Sequence, residues 1–286
     1  MSDQIRFSPV QPYVGAEVVG VDLSQPQTAD AIAQLRAGWL KYKVLIFRDQ
    51  NITRGQQLQF GKAFGVPERH PAFGEQDIPE VLAIREQPGK TMGEWHTDVT
   101  YVEAPPSGAL LHAIELPKIG GDTIFVNTAA AYEKLDDDTK RRIASLQAEH
   151  APGFERNFNI IKDAERVRAL TQANPPHQHP VVTVHPETGE KVLFVNEYFT
   201  TRIVGLEEAE SERLLAHLFT HIKRPEYQLR VQWELHTVVF WDERATQHYA
   251  VMDYSEPRRL DRVTLSGTRP RGLEAVKSDR AASATA

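Results

Sequence analysis

The sequence predicts a mainly β fold, a sandwich flanked by helices. Three observations carry that prediction. Short runs rich in β-branched residues recur from residue 16 to residue 267, each bounded by turn formers. Helical periodicity is confined to the front of the chain and to a few insertions. Because the two patterns do not alternate regularly, a parallel βαβ fold is disfavoured. A length of 286 residues with 41% hydrophobic content is enough for a substantial core in one barrel-like domain.

The elements follow in order. AEVVGVD (16–22) reads as a strand. A helix then starts near Thr28, with Thr28 and Asp30 as caps and Ile32, Leu35 and Trp39 on one face. KVLIFR (43–48) is a strand and 54–64 a second helix. GALLHAIEL (108–116) and DTIFVN (122–127) are strands, and a third helix is expected over 128–147. PVVTVH (180–185) and KVLFV (191–195) flank PETGEK (186–191), which reads as a hairpin connection. A fourth helix runs from about Glu207 to His221, with Leu214, Leu215 and Leu218 inward. YQLRVQW (227–233), TVVFW (237–241) and RVTLSG (262–267) close the strand set. No repeat or low-complexity linker interrupts it, so residues 1–272 are expected to form one domain. Residues 273–286, small, polar and without periodicity, are expected to be a disordered tail.

Composition removes several function classes. With no cysteine there can be no disulfide, iron–sulfur cluster, thiolate zinc site or cysteine nucleophile, so any metal must be held by histidine and carboxylate. A net charge of −6 argues against non-specific nucleic-acid binding. The N-terminus lacks a secretory pattern, and no run approaches the roughly 18 apolar residues of a membrane span. A cytoplasmic homo-oligomer is expected, acting on a small molecule and without nucleic-acid or membrane partners.

The most informative stretch is EWHTDVTY (94–101). In an extended segment side chains alternate, so His96 and Asp98 point the same way. The third ligand is expected at His248, shortly after the apolar strand TVVFW. Two imidazoles and one carboxylate leave coordination positions open, the pattern of non-haem iron(II) oxygenases. Arg258, Arg259 and Arg262 lie just beyond. A dicarboxylate cosubstrate bound to metal at one end needs its far carboxylate paired, which a planar, permanently charged guanidinium does best. Thr123 offers a hydroxyl to the same carboxylate. Two competing readings are a non-redox metal-binding jelly roll and a zinc hydrolase; the latter lacks a motif such as H-E-x-x-H.

These residues, with the GGDT run (120–123), NPPHQHPVV (174–182), HPETGEKVLFVNEYFTTRIVGL (185–206) and TQHYAV (246–251), resemble the iron(II)/2-oxoglutarate-dependent taurine dioxygenase family, which includes alkylsulfatases and phenoxyalkanoate dioxygenases. The resemblance covers most of the chain. It implies a double-stranded β-helix (jelly roll) and His96, Asp98 and His248 as iron ligands, with Thr123 and a downstream arginine on 2-oxoglutarate. The activity it implies is O₂-dependent hydroxylation of a small anionic substrate, a sulfonate such as taurine or an alkyl sulfate, with release of succinate and CO₂. An aryloxy or other carboxylate substrate is the alternative. His70, Val99 and Arg262 match the family's substrate contacts. Met92 and Phe73 stand where taurine-specific members carry asparagine and tyrosine, so polar partners for an ammonium are missing. Glu243 stands where relatives often carry asparagine.

The family spacing for the cosubstrate arginine points to Arg259 when counted from His248 and to Arg258 when counted back from Arg262. Strand alternation favours Arg258, because it shares a face with Arg262 while Arg259 points away.

Overall fold

The computed structural model describes residues 4–69, 77–86, 93–153 and 164–284. In chain order its strands and α-helices are β1 (Arg6–Pro9), β2 (Ala16–Val19), α1 (Ala29–Tyr42), β3 (Val44–Phe47), α2 (Arg54–Lys62), β4 (Pro67–Glu68), β5 (Val81–Glu86), β6 (Gly108–Glu115) and β7 (Thr123–Asn127). There follow α3 (Thr128–Glu133), α4 (Asp137–Ile143), β8 (Gln147–His150), α5 (Ala164–Ala173), β9 (His177–Pro180), β10 (Val182–Val184), β11 (Lys191–Leu193) and β12 (Thr200–Ile203). The last are α6 (Glu208–Ile222), β13 (Gln228–Val231), β14 (Val238–Asp242), β15 (Thr246–Ala250), β16 (Arg258–Leu265) and α7 (Leu273–Ala284).

The larger sheet has the order β1-β2-β3-β14-β6-β16-β4, and β5 also pairs with β16. The sheet β13-β7-β15 faces it. Between them lies a core of Val44, Ile46, Leu111, Val239, Trp241 and Leu260 from one sheet and Phe125, Leu229 and Val231 from the other. Leu45, Phe47, Leu110, Phe240, Val263 and Leu265 point the opposite way, into a second core with Leu35 and Trp39 of α1 and Leu58 and Phe60 of α2. Both faces of this sheet are therefore covered, which is why its central strands read as unbroken apolar runs and not as alternating ones. This is the jelly roll with outer helices that the resemblance implies.

Local signals set the helix ends as expected. Thr28 caps α1, accepting from Ala31 N–H at 3.2 Å, and Thr53 and Gln56 form a capping box on α2. The PETGEK turn joins β10 and β11 as an antiparallel hairpin. One expectation is corrected. The helix expected over 128–147 is broken, because Asp136 caps a new helix by accepting from Thr139 N–H at 2.8 Å, and residues 147–150 then join a sheet. Residues 273–284 form α7, which is rich in good helix formers and begins on the body of the fold through Leu273. Among the described residues no helix is long and apolar enough to cross a membrane.

Candidate active site

His96 and His248 face each other across a short antiparallel bridge. His96 N–H donates to His248 O at 3.1 Å, and His248 N–H donates to His96 O at 2.8 Å. The exchange places both side chains on one side of the bridge, with ring centroids 4.2 Å apart. Thr97, between the two sequence-predicted ligands, points away, its hydroxyl donating to Thr246 O at 2.6 Å. Asp98 returns to the side of His96, as the alternation of an extended segment requires. Its Oδ1 is 3.6 Å from His96 Nε2 and 3.9 Å from His248 Nε2. One ligand atom from each of the three residues lies within 4.8 Å of the other two, and all three side chains are buried. The distal histidine belongs to a strand of its own, β15, paired with β7.

The donor set suits a divalent cation. His96 Nδ1–H donates to Glu94 O at 2.7 Å, which leaves the Nε2 lone pair turned toward Asp98 and His248. Burial, then the neighbouring His96, pushes His248 down to about 3, so its imidazole is neutral at ordinary pH. Burial alone would raise Asp98. The Arg262 guanidinium beside it instead holds its carboxyl well below the usual range. Arg262 Nη2 donates to Asp98 Oδ2, so Oδ1 is the oxygen on the histidine side. Glu243, fully buried beside Asp98, is pushed well above the usual range by burial and by the Asp98 charge, and its Oε2 accepts from Asp98 N–H at 3.2 Å.

Thr123 and Arg258 also meet. Arg258 Nη2 donates to Thr123 Oγ1 at 3.3 Å, and Trp233 Nε1 donates to the same oxygen at 3.0 Å. The Arg258 guanidinium, buried, stands 5.8 Å from the centre of the Trp233 ring. The preceding Gly121 has a φ of +77°, and a Cβ there would lie 3.2 Å from the Arg258 side chain; glycine answers both constraints. Through β7, Thr123 is on the same face as Phe125, the register partner of His248. Along β16, Arg258, Leu260 and Arg262 share the inner face. Arg259 turns outward and pairs with Asp261 at 3.1 Å through two nitrogens. The strand alternation used to separate Arg258 from Arg259 is thus the observed one.

Val99 follows Asp98 with a φ of +53°. For a β-branched residue this is a strained conformation, costing about 1–3 kcal/mol, and it re-aims the backbone just beyond the carboxylate. Tyr198 and Phe199 form an aromatic wall whose rings lie 5.9 and 6.3 Å from that of His96. His70, Phe73 and Met92 fall outside the described residues. Trp233, Thr97 and the aromatic wall were not singled out from sequence. Their only signal was membership of the quoted family runs and strands.

The family model for "Taurine catabolism dioxygenase TauD, TfdA family" matches residues 6–264. The chain belongs to this family. It is by class an alpha-ketoglutarate-dependent dioxygenase. It is 37% identical over 279 residues to the alpha-ketoglutarate-dependent sulfate ester dioxygenase of Pseudomonas putida, covering 95% of this chain and 92% of that one. It is 34% identical over 284 residues to the alkylsulfatase of Acinetobacter baylyi, covering 96% and 89%. The crystal structure of a taurine dioxygenase from Burkholderia xenovorans superposes with a TM-score of 0.83 at 36% identity, covering 95% and 94%. The jelly roll, the family and the reaction class expected from the sequence are all borne out.

Proposed function

We propose that this family member binds iron(II) at His96, Asp98 and His248 and oxidises a small organic sulfate ester or sulfonate. The convergence of three buried ligand atoms within 4.8 Å carries this reading. Iron bound there would supply the redox chemistry that couples decarboxylation of 2-oxoglutarate to hydroxylation of a substrate C–H bond.

The chain's own residues do the rest. The neutral His248 and the pre-oriented His96 offer lone pairs without first losing protons. Arg258 and Thr123 hold the far carboxylate of 2-oxoglutarate, the guanidinium contributing a planar fork and the threonine a hydroxyl. Arg262 gives one N–H to Asp98, and its buried Nε has no hydrogen-bond partner among the described residues. A substrate oxyanion would satisfy it, and His70 is the second anion contact suggested by the family match. The backbone at Val99 lines the same pocket, and Tyr198 and Phe199 supply an apolar side.

The sulfate ester and alkylsulfatase relatives support a sulfur oxyanion as the recognised group. Hydroxylation beside the heteroatom gives an adduct that collapses to an aldehyde and the inorganic anion. The test is anaerobic titration with iron(II) and 2-oxoglutarate, following the charge-transfer absorption and its change on adding an alkyl sulfate, taurine or an aryloxy acid. Succinate is then measured after O₂ is admitted. An unchanged spectrum with iron and 2-oxoglutarate would sink the metal assignment. A response to aryloxy acids alone would replace the substrate class.

A further inference from the structure

Holding Val99 in its left-handed conformation requires something to over-determine the turn that begins at Asp98. The structure shows what does so. The Thr100 side chain is buried, and its Oγ1 accepts from Asn196 Nδ2 at 3.1 Å and shares a 2.9 Å hydrogen bond with His150 Nδ1. His177 Nδ1–H donates to Tyr101 O at 2.8 Å, and His179 Nε2–H donates to Val102 O at 3.0 Å. Three consecutive residues after Val99 are thus tied from outside, by β8, β9 and the loop before β12.

Asn196 does more than tie Thr100. Its Oδ1 accepts from Phe199 N–H at 2.8 Å, and its own N–H donates to Thr200 Oγ1 at 2.9 Å. One end of this buried amide therefore holds the turn that carries Asp98, and the other holds the aromatic wall that faces His96. Both ends are in use, so the orientation of the amide is determined by its partners, and an aspartate would lack the donor that Thr100 receives.

We infer that Thr100 and Asn196 are positioning residues, linking the carboxylate ligand Asp98 to the Tyr198–Phe199 wall so that metal and substrate are held in one register. The inference rests on the metal role proposed for Asp98. Neither residue touches the reacting atoms; Thr100 acts through the turn at Asp98 and Asn196 through Thr100 and Phe199. Supporting hydrogen bonds behind a ligand typically change metal affinity or activity by about 10–100-fold when removed.

The experiment is Co(II) titration of the full chain without O₂, comparing wild type with Thr100→Ser, Thr100→Val, Asn196→Ala and the Thr100→Val/Asn196→Ala pair. Thermal melts in the absence of metal accompany each. Thr100→Val, nearly isosteric, is expected to weaken Co(II) binding by about 10-fold or more. Thr100→Ser, which keeps the hydroxyl, is expected to restore most of it. The double variant is expected to lose less than the product of the two single losses, as two groups sharing one bond must. Should Thr100→Val not fold, Asn196→Ala against Thr100→Ser carries the same comparison. Wild-type affinity in both Thr100→Val and Asn196→Ala overturns the inference while leaving the metal site intact. Equal losses in Thr100→Ser and Thr100→Val also overturn it, since packing and not the hydroxyl would then matter. If wild type itself fails to bind Co(II), the metal reading falls and this inference with it.

Discussion

Arg262 and Asp98, 164 residues apart in the chain, meet in the buried interior, where Arg262 Nη2 donates to Asp98 Oδ2. The pairing keeps Asp98 ionised in a place where burial would otherwise protonate it, and it leaves Oδ1 facing the two histidines. Arg262 thereby stabilises the metal-free site as well as being a candidate substrate contact.

Replacing Arg262 with glutamine is therefore expected to destabilise the metal-free protein. Removing one partner of a buried pair costs about 3–5 kcal/mol. A divalent cation can take over part of the lost compensation. The rise in melting temperature on adding Co(II) should accordingly be larger in Arg262→Gln than in wild type. An equal rise in both would mean that the guanidinium and the metal position do not share the Asp98 charge.

Alanine at His96, Asp98 or His248 should remove metal binding and succinate formation together while the far-ultraviolet circular dichroism survives. The bridge between residues 96 and 248 is made by backbone groups, which these substitutions retain. Metal titration and a succinate assay on each variant decide the matter. Full activity in all three would show the triad assignment to be wrong.

Arg258 and Arg259 should behave oppositely. Arg258 is buried against Thr123, whereas Arg259 pairs with Asp261 on the outer face. Losing the partner of a buried carboxylate should cost about 3–5 kcal/mol, which raises the apparent KM for 2-oxoglutarate by roughly two to four orders of magnitude in Arg258→Ala. Arg259→Ala should leave it nearly unchanged. A large increase confined to Arg259→Ala would contradict the register of β16.

Stability should fall on mild acidification through buried histidines other than the metal ligand candidates. Burial, then the nearby His236, pushes His112 down to about 4, and burial likewise pushes His150 to about 3. Both are depressed, so between the unfolded value near 6.5 and these folded values only the unfolded chain takes up the proton. Stability is full above about pH 6.5 and declines below it, until the folded groups also titrate. His112 alone accounts for about 2 kcal/mol by pH 5. Urea unfolding at pH 7 and pH 5 should show a smaller difference in His112→Leu than in wild type. The same difference in both proteins would exclude His112 as the source.

Alkyl sulfates and longer sulfonates should be turned over more efficiently than taurine. The family match puts Met92 and Phe73 where a taurine-specific pocket has polar side chains, and an ammonium buried without a partner is costly. Comparison of kcat/KM across a chain-length series tests this. A taurine value above all the others would refute the reading of Met92.

The sequence by itself determined whatever depends on periodicity within one element. The shared face of His96 and Asp98, the opposed faces of Arg258 and Arg259, the Thr28 cap and the PETGEK hairpin all follow from a repeat of two or from residues a few positions apart. Even there, α3 could end at Glu133 and Asp136 cap the next helix without disturbing the helical pattern, so 128–147 was read as one helix. Short polar strands such as β8, β9 and β15 carried too few β-branched residues to register, although β15 holds a metal ligand candidate. Only the tertiary structure decided the contacts across the sandwich. These are the bridge between residues 96 and 248, Arg262 on Asp98, the buried Glu243 behind it, and Asn196 on Thr100. Each joins groups about 100 or more positions apart, and such a contact leaves no local trace, because it is selected by the packing of whole sheets and by the need to pair every polar group that packing buries.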